Sequence, residues 1–186
     1  MKAAIIADKD CQTDLFQQLH KLVVMFLNNA GLVTEEIFIG RDDLAFCKGC
    51  FGCWIKKPGE CVINDMMAQV NRNFINSDVV IYLSPVVFGQ FSANIKNALD
   101  RWIPNMLPFF ETRPDGSTMH PSRYDTHPQS IIIGYGDGLS EDDVQLFIDI
   151  TKKHRTNTEV LIYQGADQDI TETLGKIELR MVGGYL

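Results

Sequence analysis

No stretch of this chain approaches the ~18 to 20 consecutive apolar residues that a membrane-spanning helix needs, so no membrane segment is expected within its 186 residues. The apolar run near the start, Ala3-Ala4-Ile5-Ile6-Ala7, is far shorter than a secretory leader's core and meets Asp8 at once. A cytoplasmic location is therefore expected, with thiols that are reduced or ligated rather than stapled as disulfides. Basic surface is scarce: 17 Lys and Arg face 24 Asp and Glu, a formal charge of −7. The cation pairs Lys56-Lys57 and Lys152-Lys153 read as solvated faces. A nucleic-acid partner is not expected, because phosphate contacts need a basic patch. No Ser-His-Asp arrangement or paired carboxylates ask for hydrolytic chemistry. Internal repeats and low-complexity segments are missing too, and 45% hydrophobic with 22% charged residues is ordinary for one globular domain over residues 1–186.

Cysteine, by contrast, is concentrated. Cys47, Cys50, Cys53 and Cys61 fall within fifteen residues as C-x2-C-x2-C-x7-C, and Cys11 stands apart. Thiolates are soft ligands and nucleophiles, and a compact C-x2-C-x2-C run lets one loop wrap an iron–sulfur cube. Three readings of the loop are open. A [4Fe–4S] cluster on all four cysteines is favoured by the compact core and by Lys48, Lys56 and Lys57, whose charges would offset a negative cluster. Zinc usually uses two separated C-x2-C knuckles. Metal-free thiols that pack or pair reversibly are the third reading, since free cysteine is a commonly buried residue.

The flanks alternate between strand-like and helix-like patterns. Lys2 to Ala7 is a continuous apolar run, as in a strand buried on both faces. From Thr13, Leu15, Phe16, Leu19, Leu22, Val23, Phe26 and Leu27 repeat at helical spacing, and Asn28-Asn29-Ala30-Gly31 is a stop signal. Leu32 to Ile39 predicts a second strand, Asn64 opens a helix with Asp65 in its first turn, and Asp78 to Ser84 predicts a third strand. A helix from Ser92 should carry Ile95, Ala98, Leu99, Trp102 and Ile103 and end before Pro104. Residues 104–129 hold five of the seven prolines and the turn signal Arg113-Pro114-Asp115-Gly116; an irregular stretch that long is usually functional or packs on a partner. Ser130 to Gly134 and Thr158 to Tyr163 predict two more strands around a helix capped by Ser140, and a last short helix follows Asp169. Gly134-x-Gly136-x-Gly138 is not a dinucleotide fingerprint, because it follows the fourth strand and lacks the third spacing.

Five strands alternating with helices predict an α/β fold, a doubly wound parallel sheet of order 2-1-3-4-5 with helices on both faces. Ligands bind such sheets beyond the carboxyl ends of the strands, where the order reverses between strands 1 and 3. The segments Asp8 to Thr13, the cysteine loop and Pro85 to Phe91 should therefore converge on one crevice.

The segments Cys47-Lys48-Gly49-Cys50-Phe51-Gly52-Cys53-Trp54, Pro58-Gly59-Glu60-Cys61, Asn64-Asp65-Met66 and Ser84-Pro85-Val86-Val87-Phe88-Gly89 resemble the flavodoxin-like NAD(P)H-dependent FMN reductases and, within them, the iron–sulfur flavoproteins. Ser92-Ala93 and Ile95 to Arg101 extend the resemblance, which covers about residues 1–165. It implies a flavodoxin-like domain that binds FMN and uses NAD(P)H as electron donor to a small-molecule acceptor, directly or through a Cys-ligated cluster. The cofactor-binding residues it implies are Thr13, Pro85, Val86, Val87, Phe88, Gly89, Gln90, Tyr135 and Gly136. It also implies a homodimer that packs the Ser92 helix and Pro108-Phe109-Phe110 on a partner. No residue is singled out as a catalytic acid or base, since the flavin carries the electron chemistry.

Among other candidates, Phe51, Trp54, Phe88 and Tyr135 could stack on a flavin or simply fill the core. Asp100-Arg101 reads as a helix-surface ion pair or a dimer contact, and His120 and His127 stand in the proline-rich stretch without a partner in view. The chain departs from the family at its phosphate loop. Ala7-Asp8-Lys9-Asp10-Cys11-Gln12-Thr13 replaces a Gly-Ser start and a Gly-rich or basic turn, and carboxylates oppose a phosphate at a helix N-terminus. Asp8 and Asp10 must point away, or FMN binding is weakened or lost. A non-enzymatic redox carrier or sensor, and a relative that no longer binds FMN, are the alternative functions.

Overall fold

The computed structural model describes residues 1–154 and 158–179. Its frame is a parallel sheet of five strands in the order β2-β1-β3-β7-β8, with β4 added antiparallel to β3. The strands are β1 (Lys2–Asp8), β2 (Val33–Ile39), β3 (Val79–Val87), β4 (Gln90–Phe91), β7 (Gln129–Tyr135) and β8 (Thr158–Tyr163). A separate two-residue hairpin pairs β5 (Glu111–Thr112) with β6 (Thr118–Met119). The helices are α1 (Asp14–Asn29), the single turn α2 (Gly52–Ile55), α3 (Met67–Ile75), α4 (Ala93–Asp100), α5 (Glu141–His154) and α6 (Asp167–Gly175). Counting the five parallel strands in chain order gives 2-1-3-4-5, as the alternation predicts.

Pleating divides the core in two. Ala3, Ile5 and Ala7 of β1, with Ile81 and Ile133, pack under α1 and α6, where Phe16, Leu19, Val23 and Leu27 form the inner stripe of α1. Ala4 and Ile6, with Val80, Tyr82 and Ile132, meet Val70 and Phe74 of α3, Ile95 and Ala98 of α4 and Phe147 of α5. Thr13 caps α1, its hydroxyl accepting the N–H of Phe16 at 3.2 Å.

Several boundaries differ from the sequence reading. β3 does not end at Ser84 but runs through Pro85 to Val87. Its pairing with β1 stops at Ala7↔Leu83 while its pairing with β7 continues to Pro85↔Tyr135. Pro85 thus lies beyond β1, where a missing N–H costs the ladder little. α4 stops at Asp100, followed by a 3-10 turn over Ile103–Asn105, because a residue before proline is pushed out of the α region. α3 begins at Met67, with Asp65 just outside it accepting the Met67 N–H at 3.1 Å.

Candidate functional site

At the carboxyl edge of the sheet the loops after β1, β2, β3 and β7 are tied together by named bonds. The hydroxyl of Tyr135, the last residue of β7, donates to the carbonyl of Cys11 in the β1–α1 loop at 3.0 Å. Asn94, in the first turn of α4, donates its amide to Asp8 Oδ1 at 2.9 Å and to Asp10 Oδ2 at 3.0 Å. The N–H of Arg41, just past β2, donates to Asp10 Oδ2 at 2.9 Å. The crevice expected between strands 1 and 3 therefore has a floor of three loops and one rim built by the segment after β2.

The other rim is a tight hairpin. Val86 pairs with Phe91 and Val87 with Gln90, leaving Phe88 and Gly89 as the two turn residues at φ 51° and 69°. Two positive φ values match the right-handed twist of the strands, and a side chain in that region is uncommon. A Cβ on Gly89 would stand 2.7 Å from Leu146 Cδ2, so α5 backs the turn closely. Phe88 is 90% exposed at the tip. This hairpin holds Pro85 to Gln90 of the expected cofactor set in one ribbon over the crevice. Tyr135 is placed differently from a stacking residue: its ring is buried and packs on Phe16, centroids 5.7 Å apart, so it meets the crevice through its hydroxyl. Burial, then the neighbouring Cys11 and Asp8, push that hydroxyl's pKa up. Gly136 follows, with Leu139 2.6 Å from where a Cβ would lie.

The ring end of a flavin fits this ribbon; the phosphate end does not fit as well. The backbone N–H groups of Cys11, Gln12, Thr13, Asp14 and Leu15 find no acceptor among the described residues, which suits an anion at the start of α1. Yet Asp8 Oδ1 already accepts the N–H of Asp10 at 2.9 Å, and the Lys9 ammonium is paired with Asp43 at 3.7 Å. The bonds from Asn94 and the Arg41 N–H hold the Asp10 carboxyl below its ordinary pKa.

The cysteine loop, expected in the same crevice, is held instead at the far end of α4, where Arg101 meets Cys61, and on the 3-10 turn, where Trp54 docks. Phe51, at φ 52°, turns the chain into α2. Cys53 is buried and Cys61 half-buried, whereas Cys47 and Cys50 are exposed. Burial raises the Cys53 thiol, and Cys61, Cys47 and Cys50 raise it further. No group of three or more His, Cys, Asp or Glu among the described residues stands at single-ion spacing. An iron–sulfur cube holds each thiolate on a separate iron, so its ligands stand farther apart than those of one ion.

Arg101 reaches this loop from the end of α4, a role the sequence reading missed. Asp100 and Arg101 are not a pair: Asp100 bonds Lys96 at the surface, and Arg101 is 2% exposed. Its Nη2 donates to Cys61 Sγ at 3.2 Å, and its Nη1 donates to the Ala45 carbonyl at 2.9 Å and to the Asp65 carboxylate. Burial alone would raise the Asp65 carboxyl. Arg101, together with the N–H groups of Ala45 and Met67, outweighs it and holds the group below the usual range. Arg101 thus sets a buried cation on the Cys61 sulfur. Arg101 follows Ile95 and Ala98 at three-residue steps, which was the available signal.

Trp54 anchors the loop to the proline-rich segment, its Nε1 donating to the carbonyls of Ile103 and Met106 at 3.1 and 3.0 Å. Its ring stacks on Phe51 and tilts against His120, which in turn meets Phe110. His120 Nδ1 donates to the Phe109 carbonyl at 2.8 Å. A cavity of about 540 Å³ lies on the α4 side of the sheet, with Phe74, Trp102, His127 and Ser130 among its walls. Met106 and His120 also line it, so the cavity borders the segment on which Trp54 of the cysteine loop docks.

Comparison with known proteins agrees with this architecture. The sequence profile of the family described as NADPH-dependent FMN reductase matches residues 3–114, more than half of the chain. The chain belongs to that family. An iron-sulfur flavoprotein of Archaeoglobus fulgidus is 37% identical over 78 residues, 42% of this chain and 34% of the relative. One from Methanosarcina thermophila is 32% identical over 71 residues, 38% and 36% of the two chains. These matches span about a third of each relative's length. Among solved structures, the NAD(P)H:quinone oxidoreductase of Methanothermobacter marburgensis superimposes with a TM-score of 0.63 at 13% identity, covering 94% of this chain and 91% of that one. The flavoenzyme FerB of Paracoccus denitrificans gives 0.53 at 16% identity over 94% and 91%. At such identities the likeness shows the flavodoxin-like fold. Among the described residues no helix is long and apolar enough to cross a membrane.

Proposed function

We propose that this protein is a flavin-dependent oxidoreductase that takes a hydride from NADH or NADPH and passes two electrons to a small acceptor such as a quinone, which leaves as the hydroquinone after taking up two protons. The observation that carries this reading is the Tyr135–Cys11 bond at 3.0 Å, which joins the ends of β7 and β1 at the carboxyl edge of the sheet. Membership of the FMN reductase family and the names of the two flavoprotein relatives support it. A bound flavin supplies the hydride and electron chemistry; the chain binds and orients it. Pro85 to Gln90 offer backbone and apolar surface to the ring, and Gly136 lets Leu139 pack closely on the opposite loop. Thr13 starts the helix that faces the ribityl end.

The thiols of Cys47, Cys50, Cys53 and Cys61 are proposed to hold a [4Fe–4S] cluster, with Arg101 placing and neutralising Cys61. Such a cluster would relay single electrons between the crevice and the surface. Exposed Phe46, Phe109 and Phe110, at 78%, 65% and 71%, support pairing with a second copy of the chain on this side, since apolar surface of this kind marks interfaces. The acidic balance supports the expectation of no nucleic-acid partner, and a cytoplasmic location suits a site with reduced thiols.

The test is consumption of NADH or NADPH by flavin-loaded protein, without oxygen, in the presence of a quinone or ferricyanide. Consumption that needs both flavin and acceptor is expected. Flavin binding without any nicotinamide oxidation would leave a redox carrier in place of an enzyme.

A further inference from the structure

We propose that the β1–α1 loop selects against a phosphate on the flavin, so that the crevice takes a phosphate-free flavin, riboflavin, at least as tightly as FMN. The inference rests on the flavin reading above and concerns which flavin that site accepts.

In a sheet wound this way the flavin's phosphate is placed where β1 feeds α1. Between Ala7 and Leu15 this chain carries three carboxylates, Asp8, Asp10 and Asp14, and one cation, Lys9. The carboxylates of Asp8 and Asp10 are fixed rather than free to swing away. Asp8 is 3% exposed and accepts both the Asp10 N–H and the Asn94 amide. Asp10 accepts the same amide and the Arg41 N–H. One neutral side chain, Asn94, thus bridges two negative groups without neutralising either. Their charge is felt in the loop itself: after burial, Asp8 and Asp10 are the causes that raise the Cys11 thiol. The nearby cations already face carboxylates: Lys9 stands 3.7 Å from Asp43, and the charges of Lys9 and then Arg41 help keep Asp10 ionised. Both carboxylates act on Cys11, the first of the open N–H groups, so a dianion added to the N–H groups of Cys11 to Leu15 is met by their charge. The hydroxyls of a ribityl chain carry no charge and can use the same N–H groups as acceptors.

The experiment measures dissociation constants of riboflavin and FMN by flavin fluorescence, with the full chain purified flavin-free. The ratio Kd(FMN)/Kd(riboflavin) is expected to be one or greater, and to fall at least tenfold in Asp8→Ser/Asp10→Gly. Because Asp8 is buried and its variant could unfold, the unaltered protein is also titrated from low to high salt. Screening should tighten FMN while leaving riboflavin unchanged. FMN tighter than riboflavin in the unaltered protein, a ratio unmoved in the folded variant, or FMN affinity that does not rise with salt would each overturn the inference while leaving the flavin reading intact. Binding of neither flavin would overturn that reading, and the inference with it.

Discussion

Nη2 of Arg101 lies 3.2 Å from the sulfur of Cys61, on a side chain that is 1% exposed and also grips Asp65. A guanidinium so deeply placed has been taken from water, and its Coulomb partner and hydrogen bonds must offset that loss. Asp65 and the Ala45 carbonyl supply much of the offset, and the sulfur takes the remaining direction. The end of α4, the start of α3 and the cysteine loop are thereby locked to one group.

Removing Arg101 should therefore cost more than a surface cation would. Arg101→Met is expected to destabilise the protein by about 3–5 kcal/mol, the range for breaking one side of a buried pair. Pairing it with Asp65→Asn should restore part of the loss. Urea unfolding measures both, and a loss under about 1 kcal/mol for the single change would place the pair among weak surface contacts.

The same pair predicts an acid limb. Asp65 has a folded pKa below its unfolded value of about 3.9. Its contribution to stability is full above that value and is lost as pH falls through the lower folded pKa. Melting temperature followed downward from pH 5 should drop less steeply in Asp65→Asn than in the parent protein. Parallel curves would show that Asp65 does not carry the limb.

Cys50→Ser should abolish the broad visible absorbance and the iron content of protein isolated without oxygen, because the exposed Cys50 is a proposed cluster ligand. An unchanged band would reject this ligand set. Cys11→Ser, outside the four, should leave iron content as it was.

Gly89→Ala tests the hairpin. The left-handed conformation costs a residue with a Cβ about 1–2 kcal/mol, and the added methyl also meets Leu146 at 2.7 Å. Riboflavin affinity is expected to fall about tenfold, with the global fold retained by circular dichroism. Unaltered affinity would move the flavin ring off this ribbon.

The strand and helix order was legible because period-two and continuous apolar runs report pleat and burial directly, as in Lys2 to Ala7, and because Thr13 offers a cap. The extension of β3 was not, since proline argues against a central strand and nothing local shows that β1 has already ended beside Pro85. The meeting of the β1–α1 loop with Arg41 and Asn94 followed from topology, whereas the cysteine loop, expected in the same crevice, is tied to the opposite end of α4 through Arg101. Arg101 was hidden by its charge: a cation next to Asp100 reads as surface, and its burial depends on Asp65, 36 positions away in the chain. The fate of the Asp8 and Asp10 carboxylates likewise depended on Asn94, a partner more than eighty positions distant.

The most direct measurement is the visible spectrum of protein purified without oxygen, with iron and sulfide assayed on the same sample and riboflavin or FMN then added. The account predicts the paired near-ultraviolet and blue bands of an oxidised flavin, above a broad absorbance that tracks iron and sulfide. A colourless, metal-free protein that ignores both added flavins would contradict it.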